Sequence, residues 1–136
     1  MSKINAYINF RDNNCREAMN FYKECLGGEL SLIVVKESPM KDMFPPQLQD
    51  IILHADLTKG DLTLLGSDMP NDDITSDSGP VSLTLTCDSK AEASAMFDKL
   101  SAGGKIVHPM STFFAGTMGN IIDKFGSRWG IFTAEQ

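Results

Sequence analysis

The chain has 136 residues, of which 42% are hydrophobic and 22% charged; this is the size and composition of one globular domain and excludes a disordered or fibrous protein. The formal charge is −6, and the nine lysines and three arginines are scattered singly, which excludes the basic stripe that nucleic acid or an anionic membrane surface requires. The three cysteines are at least ten residues apart, so we expect no CxxC pair or zinc knuckle, and Cys15, Cys25 and Cys87 should be small buried hydrophobes.

The first ten residues, MSKINAYINF, contain no apolar stretch of signal-peptide length, and no window reaches the roughly 18 apolar residues of a membrane span. The sequence also has no glycine-rich loop for a nucleotide or a methyl donor. We therefore expect a cytoplasmic protein that needs no cofactor and has neither a membrane nor a nucleic acid as its partner.

The first half of the chain alternates between strand and helix patterns. Apolar and polar side chains alternate from the start, as in a half-buried strand; Asp12, Asn13 and Asn14 then offer N-caps for a helix, and the pair Gly27-Gly28 ends it through a left-handed C-cap. A proline-rich excursion and a tight turn at Lys59-Gly60 follow. The predicted elements are a strand at 4–10, a helix at 14–26, a strand at 29–36, an excursion at 37–50 and strands at 51–58 and 61–67.

The same order of elements restarts after a segment of turn formers and acids at 69–80, which we predict to be a linker. The second set is a strand at 81–87, a helix at 89–102, a strand at 105–108, a loop and a closing hairpin. Laying 12–28 over 88–104 gives five identities in seventeen positions, against about one expected from average residue usage. We predict a single domain over 1–136, built from duplicated modules at about 1–68 and 81–136.

The repeat carries a family resemblance that spans the whole chain. The runs FYKECLGGEL after the start of the first helix and DKFGSRWGIF in the closing hairpin resemble the vicinal oxygen chelate superfamily of glyoxalases, bleomycin-resistance proteins and extradiol dioxygenases. The runs NCREAMNFYKECLGGEL and FFAGTMGNIIDKFGSRW are most similar to its PhnB-like branch. The resemblance implies an α+β fold of two tandem βαβββ modules, whose curved, mostly antiparallel sheets surround a central cleft with the helices outside.

The resemblance also implies where a metal would be bound, because members of this superfamily use one residue from the first and last strand of each module. Carried over by register, these positions fall on Asn5, on Leu64 or Leu65, on Ser82 and on Gly130. Leucine and glycine side chains offer no donor atom, and Asn and Ser are weak neutral ligands. We therefore expect no metal at the family's usual site.

The same carry-over assigns a side to each strand residue, since alternate residues face opposite sides of a sheet. Residues expected to face the cavity and bind a ligand are Tyr7, Asn9, Thr84 and Thr86, with Arg128 and Phe132 sharing the side of Gly130. Residues expected to lie under the helices are Ile4, Ile8, Leu83 and Leu85. Trp129 is expected to pack in the core rather than to stack on a ligand.

The two histidines differ in how well their surroundings in the sequence fit a catalytic role. In a strand, His54 shares a face with Ile52 and Asp56, so a carboxylate two residues away could orient its imidazole as a general base; the alternative is a partly buried histidine bonded to backbone. His108 precedes Pro109 at a strand end, where we expect it to be exposed.

Aromatic residues and glycines mark a segment of the second module. Phe113 and Phe114 with Gly116 and Gly119 would form either a lid with glycine hinges that places a phenylalanine against a ligand, or a surface turn anchored by two core phenylalanines. Met40, Met43 and Phe44 in the excursion could cover a pocket or a neighbouring subunit.

Three further polar positions have structural and functional interpretations. Asp123 with Gly126 is expected to form the closing hairpin turn rather than to act in catalysis. Ser67-Asp68 ends the fourth strand, at the rim of the implied cavity. Arg128 either holds an anionic ligand group or is a solvated residue of a strand.

Two functions remain open on the sequence. The first is a metal-free protein that binds a small organic molecule. The alternative is an enzyme of the glyoxalase/dioxygenase superfamily that uses His54 as a base or an atypical divalent-metal site formed by His54 and nearby carboxylates. The resemblance further implies a homodimer.

Overall fold

A strand, a helix and three further strands follow one another twice along the chain in the computed structural model, which describes residues 3–10, 12–68 and 81–136. The chain divides into two compact units, Met1–Ile74 and Thr75–Gln136. The predicted linker at 69–80 lies outside the described residues. The duplicated order of elements predicted from the sequence is confirmed.

The first unit contains β1 (Ala6–Phe10), α1 (Cys15–Leu26), β2 (Glu29–Val34), β3 (Ile52–Lys59) and β4 (Leu62–Asp68). The second contains β5 (Leu83–Cys87), α2 (Lys90–Ser101), β6 (Lys105–Phe113), β7 (Gly116–Ile122) and β8 (Arg128–Thr133). Three short 3-10 turns lie just before and within the proline-rich excursion, at Val35–Glu37, Lys41–Met43 and Pro46–Leu48.

Each unit forms one four-stranded mixed sheet, and the two strand orders correspond. Sheet 1 has the order β1-β4-β3-β2 and sheet 2 the order β5-β8-β7-β6. The first strand of each unit pairs in parallel with the last, and the other neighbours are antiparallel. The predicted α+β fold with mostly antiparallel sheets is therefore confirmed.

The helix of each unit covers one face of its sheet and buries the apolar core there. In unit 1, Met19 and Tyr22 of α1 and Leu57 of β3 are fully buried; in unit 2, Leu100 of α2 and Ile121 of β7 are. Each such side chain stabilises the fold by roughly 2 kcal/mol. We call the opposite face of each sheet, which the helix does not cover, its helix-free face.

The duplicated glycine pair has the same physical role in both units. A Cβ at Gly28 would lie 2.4 Å from the Thr58 carbonyl oxygen, and one at Gly104 would lie 2.3 Å from that of Ile122. Both glycines let the chain leave its helix in close contact with the hairpin that follows. Gly27 has φ 80° and ψ −166°, so the predicted positive φ is present but the left-handed helical conformation is not.

The two helices begin in different ways. In α1 the side chain of Asn14 makes no capping bond; instead Asp68, from the end of β4, accepts a hydrogen bond from the Cys15 backbone N–H at 2.9 Å. In α2 the Ser89 hydroxyl accepts from the Glu92 N–H at 3.1 Å, and the Glu92 carboxylate accepts from the Asp88 N–H at 3.1 Å. This pair resembles a capping box, with the carboxylate accepting from the residue before the N-cap. The Lys90 N–H is bonded in addition to the Glu135 carboxylate at 3.1 Å. The local cap predicted for α1 is wrong.

Two boundaries also differ from prediction. Strand β1 begins at Ala6, and Ile4 is 98% exposed, so Ile4 does not lie under the helix as predicted. Strand β6 does not stop at His108 but continues through Pro109 to Phe113. A proline is tolerated there because β6 is an edge strand with register shifts on both sides of His108.

Candidate functional site

The helix-free face of sheet 1 combines aromatic, acidic and small polar side chains. Because directly opposed strand residues share a face, the register places Tyr7 with Leu65 and Asp56, and Asp56 with Ser31. A neighbouring row contains Asn9 opposite Ser67 and His54 opposite Ile33. Tyr7 and Ile33 are 45% and 41% exposed, so apolar surface remains accessible on this face.

His54 lies near two groups that could orient a ligand. Its ring centroid is 6.1 Å from that of Tyr7, and its Nε2 is 3.9 Å from Asp56 Oδ2. The second distance is too long for a hydrogen bond. Asp56 is therefore beside His54, as the spacing predicts, but it does not hold the imidazole in one orientation. Ile52 is 1% exposed and belongs to the core.

Asp68 is a structural residue rather than part of a cavity rim. It is 6% exposed, and so is Ser67. One carboxylate oxygen of Asp68 accepts from the Cys15 N–H, and the other accepts from the Ile52 N–H at 2.8 Å. The carboxylate thus joins the start of α1 to the start of β3, so Asp68 does not lie at a cavity rim, whereas Ser67 lies opposite Asn9 and its rim position stays a prediction.

The helix-free face of sheet 2 is arranged in rows across its strands. Each row is set by the pairing register of β5 with β8, β8 with β7 and β7 with β6. The first row is Arg128, Ile122 and Lys105; the second is Thr84, Gly130, Asn120 and His108; the third is Thr86, Phe132, Met118 and Ser111. Arg128 and His108 are exposed, and Phe132 is half-buried.

Phe113 and Phe114 lie at the tip of the β6–β7 hairpin, and neither anchors a turn in the core. They are 38% and 93% exposed, and their rings meet edge to face with centroids 5.5 Å apart. Phe113 also lies 6.2 Å from Phe132 between ring centroids. The alternative with two core phenylalanines is wrong, whereas contact of Phe113 with a ligand stays a prediction.

Gly116 and Gly119 are residues of β7 and not hinges of a loop. A Cβ at Gly116 would lie 2.1 Å from the Thr133 carbonyl oxygen, and one at Gly119 would lie 2.6 Å from Cε2 of Phe97. Both glycines are explained by close packing within the unit. The glycine-hinged lid is therefore wrong.

Asp123 closes the β7–β8 turn and fixes the tryptophan. Its Oδ1 accepts from the backbone N–H groups of Phe125 and Ser127 at 2.9 and 3.0 Å, and its Oδ2 accepts from Trp129 Nε1 at 2.8 Å. Gly126 has φ 91°. Trp129 is 4% exposed, which confirms that it packs in the core.

The residues at the family's metal positions do not fit a metal ion. The register pairs Tyr7 with Leu65 and the equivalent Thr84 with Gly130, so Leu65, rather than the buried Leu64, is the counterpart of Gly130. A Cβ at Gly130 would lie 2.8 Å from Cε of Met118, so methionine fills the space where a ligating side chain would begin. Asn5 and Ser82 are exposed and precede their strands. Among residues 3–10, 12–68 and 81–136, no three His, Cys, Asp or Glu side chains are grouped so that they could hold a metal.

Cys15, Cys25 and Cys87 are buried, and none of them forms a disulfide within the described part of the chain. Burial raises the pKa of the Cys15 thiol to about 12, with a further contribution from the negative charge of Asp68 and a smaller opposing one from Arg16. Burial likewise raises the pKa of Cys87 to about 11, assisted by Glu92 and Asp88. Both thiols therefore stay protonated and unreactive at neutral pH.

Several residues of the helix-free faces were not singled out from the sequence. Lys105, Met118 and Asn120 on sheet 2, and Ile33 on sheet 1, share the faces of the predicted ligand-binding residues. The alternation of Met118, Asn120 and Ile122 could have identified this strand from the sequence, but the two glycines within β7 are more typical of a loop.

Comparison with known proteins agrees with this architecture. Residues 4–131 match the family model of the Glyoxalase/Bleomycin resistance protein/Dioxygenase superfamily. Protein YjdN of Escherichia coli (strain K12) is 30% identical over 148 residues, covering 98% of this chain and 96% of that protein. No helix among the described residues is long and apolar enough to cross a membrane.

Solved structures give the same result. Protein PA1353 from Pseudomonas aeruginosa is 32% identical, with a TM-score of 0.84 and full coverage of both chains. The PhnB protein from Bacillus cereus is 26% identical, with a TM-score of 0.76 over 97% of this chain and 99% of that one. With its duplicated βαβββ order, this chain is a PhnB-like protein and belongs to the glyoxalase/bleomycin resistance protein/dioxygenase superfamily.

Proposed function

We propose that the protein binds a small organic molecule, without a metal or other cofactor, on the helix-free faces of its sheets. The observation that carries the proposal is the accessible apolar surface there: Tyr7, Ile33 and Phe113 are 38% to 45% exposed. Polar side chains such as Asn9, Thr84 and Arg128 lie among them. Apolar contact area with a few polar groups is the usual composition of a small-molecule site.

The lack of suitable metal ligands supports binding over the family's metal chemistry. Leu65 and Gly130 have no donor atoms, and Met118 lies against the second of these positions. Elemental analysis of the purified protein is expected to find no stoichiometric metal. About one nickel, zinc, iron or manganese ion per chain would contradict this part of the proposal.

Binding is also favoured over general-base catalysis by His54. Its nearest carboxylate, that of Asp56, is 3.9 Å from Nε2, which leaves the ring without the hydrogen bond that would fix its orientation. His54 is better placed to contact a bound ligand as a polar side chain beside Tyr7. A His54→Ala variant should therefore bind ligand more weakly, without loss of any catalysed reaction.

Equilibrium binding to a panel of small aromatic, acyl and amine compounds tests the proposal. Amide chemical shifts in the labelled full chain identify which strands respond. For a compound that shifts sheet 1, Tyr7→Ser should weaken binding about fivefold, because it removes a large contact area. Ile4→Ser is the matched control, since Ile4 is apolar and 98% exposed but precedes the strand. Compounds that shift only the helices would contradict the proposal.

We further propose that the protein is a cytoplasmic homodimer, as the resemblance implies. Met43 is 76% exposed in the proline-rich excursion, where a neighbouring subunit could cover it. Light scattering should give twice the mass of one chain, and a monomer at all concentrations would contradict the dimer.

A further inference from the structure

The helix-free face of sheet 2 changes character along its strands. Its first row has two cationic side chains, Lys105 and Arg128, on either side of Ile122. The next row is polar, with Thr84, Asn120 and His108 around Gly130. The third row has the apolar side chains Phe132 and Met118 between Thr86 and Ser111, and Phe113 adds a further aromatic ring at the hairpin tip. The face is thus cationic at one end and has its apolar side chains at the other.

All the charged side chains that the strands of unit 2 contribute are positive. The four strands of unit 2, all within residues 81–136, contain Lys105 and Arg128 but no aspartate or glutamate. Both cationic residues are exposed. On the helix-free face of sheet 1 the register instead places Glu29 and Asp56. Unit 2 therefore presents a cationic face in a chain whose formal charge is −6, and the positive charge there is a local feature rather than a general one.

The spacing of the two cations suits a single anionic group. Lys105 and Arg128 are two strands apart, which separates their backbones by about 10 Å. Both side chains are long enough to converge above Ile122. A guanidinium binds a carboxylate or phosphate through two parallel hydrogen bonds, and an ammonium adds a compact charge.

The apolar end lies at a fixed distance from this pair. Arg128 and Phe132 are four residues apart in β8, which corresponds to about 13 Å along the strand. The ring of Phe132 is 6.2 Å from that of Phe113 between centroids, and Met118 lies opposite Phe132. An acyl chain or aromatic group would contact these three side chains while its anionic head remained at the first row.

We propose that the helix-free face of sheet 2 binds an organic anion with an apolar tail, such as an acyl carboxylate. The proposal rests on the function proposed above and adds the ligand class and its orientation. The head group is bound by Lys105 and Arg128, the middle of the molecule crosses Thr84 and Asn120, and the tail packs on Phe132, Met118 and Phe113.

Titration of the labelled full chain with octanoate, octyltrimethylammonium and octanol tests this assignment, since the three probes share one tail. Octanoate should shift amides of β6, β7 and β8 and bind most tightly. Lys105→Gln and Arg128→Gln should each weaken octanoate binding about fivefold, the upper range for an exposed ion pair, and Arg128→Lys should restore much of the loss. Lys99→Gln, the same charge change on exposed α2, is the matched control and should have no effect.

The tail contact is tested separately. Phe113→Ser should weaken octanoate binding about threefold to tenfold, while acetate, which has no tail, should bind too weakly to detect. The control is Ile106→Ser, because Ile106 is 52% exposed in the same strand but lies opposite Ile121 on the helix-covered side. Circular dichroism and melting temperature confirm that each variant remains folded.

The possible results distinguish the two proposals. If octanol or octyltrimethylammonium binds sheet 2 as tightly as octanoate, or if octanoate binds only sheet 1, the anion assignment is overturned while small-molecule binding stands. If no octyl probe binds but another compound of the panel shifts a helix-free face, the anion assignment is likewise overturned and small-molecule binding stands. If nothing in the panel shifts either face, both proposals fail.

Discussion

The two units have the same order of elements and the same strand order, yet the start of α2 has local capping bonds that the start of α1 lacks. In unit 1 the first N–H of α1 is bonded to Asp68, which is 53 residues away in the sequence. In unit 2 the first N–H of α2, that of Lys90, is likewise bonded to a distant carboxylate, that of Glu135, and Ser89 and Glu92 add local bonds at the same helix start. A local cap can act before the sheet has formed, whereas α1 gains its cap only when β4 is in place.

Equivalent positions at the ends of the two sheets carry different side chains. Phe10 is paired with Asp68 at the end of sheet 1, and Cys87 is paired with Thr133 at the end of sheet 2. Thr133 is fully buried, and its hydroxyl accepts from the Glu135 N–H at 3.3 Å. A threonine offers one short side chain where Asp68 offers two carboxylate oxygens, and in unit 2 the carboxylate of Glu135, two residues later, accepts from the Lys90 N–H at 3.1 Å, beside the local cap of Ser89.

The largest effect is expected from Asp68→Ala. It removes the acceptor for two N–H groups, those of Cys15 and Ile52, and unpaired buried donors cost about 1–3 kcal/mol each. We expect a loss of about 4 kcal/mol in the free energy of unfolding, measured by urea denaturation, and faster hydrogen exchange in α1 and at the start of β3. Asp61→Ala, which removes an exposed carboxylate from the same unit, is the control. A loss under about 1 kcal/mol would remove the contrast between the units.

A smaller effect is expected from the titration of Cys15. Its pKa is raised from 9.0 to about 12 by burial and by Asp68, so the folded state keeps the proton after the unfolded state has released it. The stabilisation is therefore complete below pH 9 and is lost as the pH rises towards 12, with a loss of about 2 kcal/mol by the middle of this window.

The measurement compares urea denaturation of the wild-type chain and of Cys15→Ala between pH 8.5 and 10.5. The wild-type chain should lose more stability than the variant over this range. Equal losses would show that Cys15 keeps no elevated pKa. At pH 8, a thiol reagent should label Cys15 and Cys87 only when urea unfolds the chain.

The smallest effect is expected from Ser89→Ala. The variant loses one local cap, which costs about 1 kcal/mol, and its influence on hydrogen exchange should be confined to the first turn of α2. Ser94→Ala, in the exposed part of the same helix, provides the comparison and should be neutral. If Ser89→Ala were as damaging as Asp68→Ala, the two helices would depend equally on their caps.

The sequence predicted the features that depend on local periodicity and on glycine. The strand and helix order and the helix ends at the two glycine pairs follow from short-range patterns, whereas the core position of Trp129 was expected from the family resemblance. The cap of α1 was missed because Asp68 acts across 53 residues and leaves no local signal. Ile4 continued the alternation of β1 but lies outside the strand, since periodicity does not report where pairing with β4 stops.

The site was predicted less completely than the fold. His54 and Asp56 lie side by side as predicted because β3 has a simple period, whereas the side of Tyr7 was expected from the family resemblance. Lys105 was passed over because its importance depends on Arg128, which lies two strands away. Residues Phe113 to Gly119 were interpreted as a loop because prolines and glycines usually interrupt strands, whereas here Pro109 lies in an edge strand and the glycines accommodate close neighbours.

Strand β6 also bears on how the chain meets other chains. It is nine residues long, lies at the edge of sheet 2 and is exposed over most of its length. Such an edge invites strands of other molecules to pair with it and so to aggregate. Pro109 removes one N–H from the middle of this edge, and the register shifts around His108 break its regularity. Pro109, which made β6 hard to recognise in the sequence, thus protects this edge from pairing with strands of other molecules.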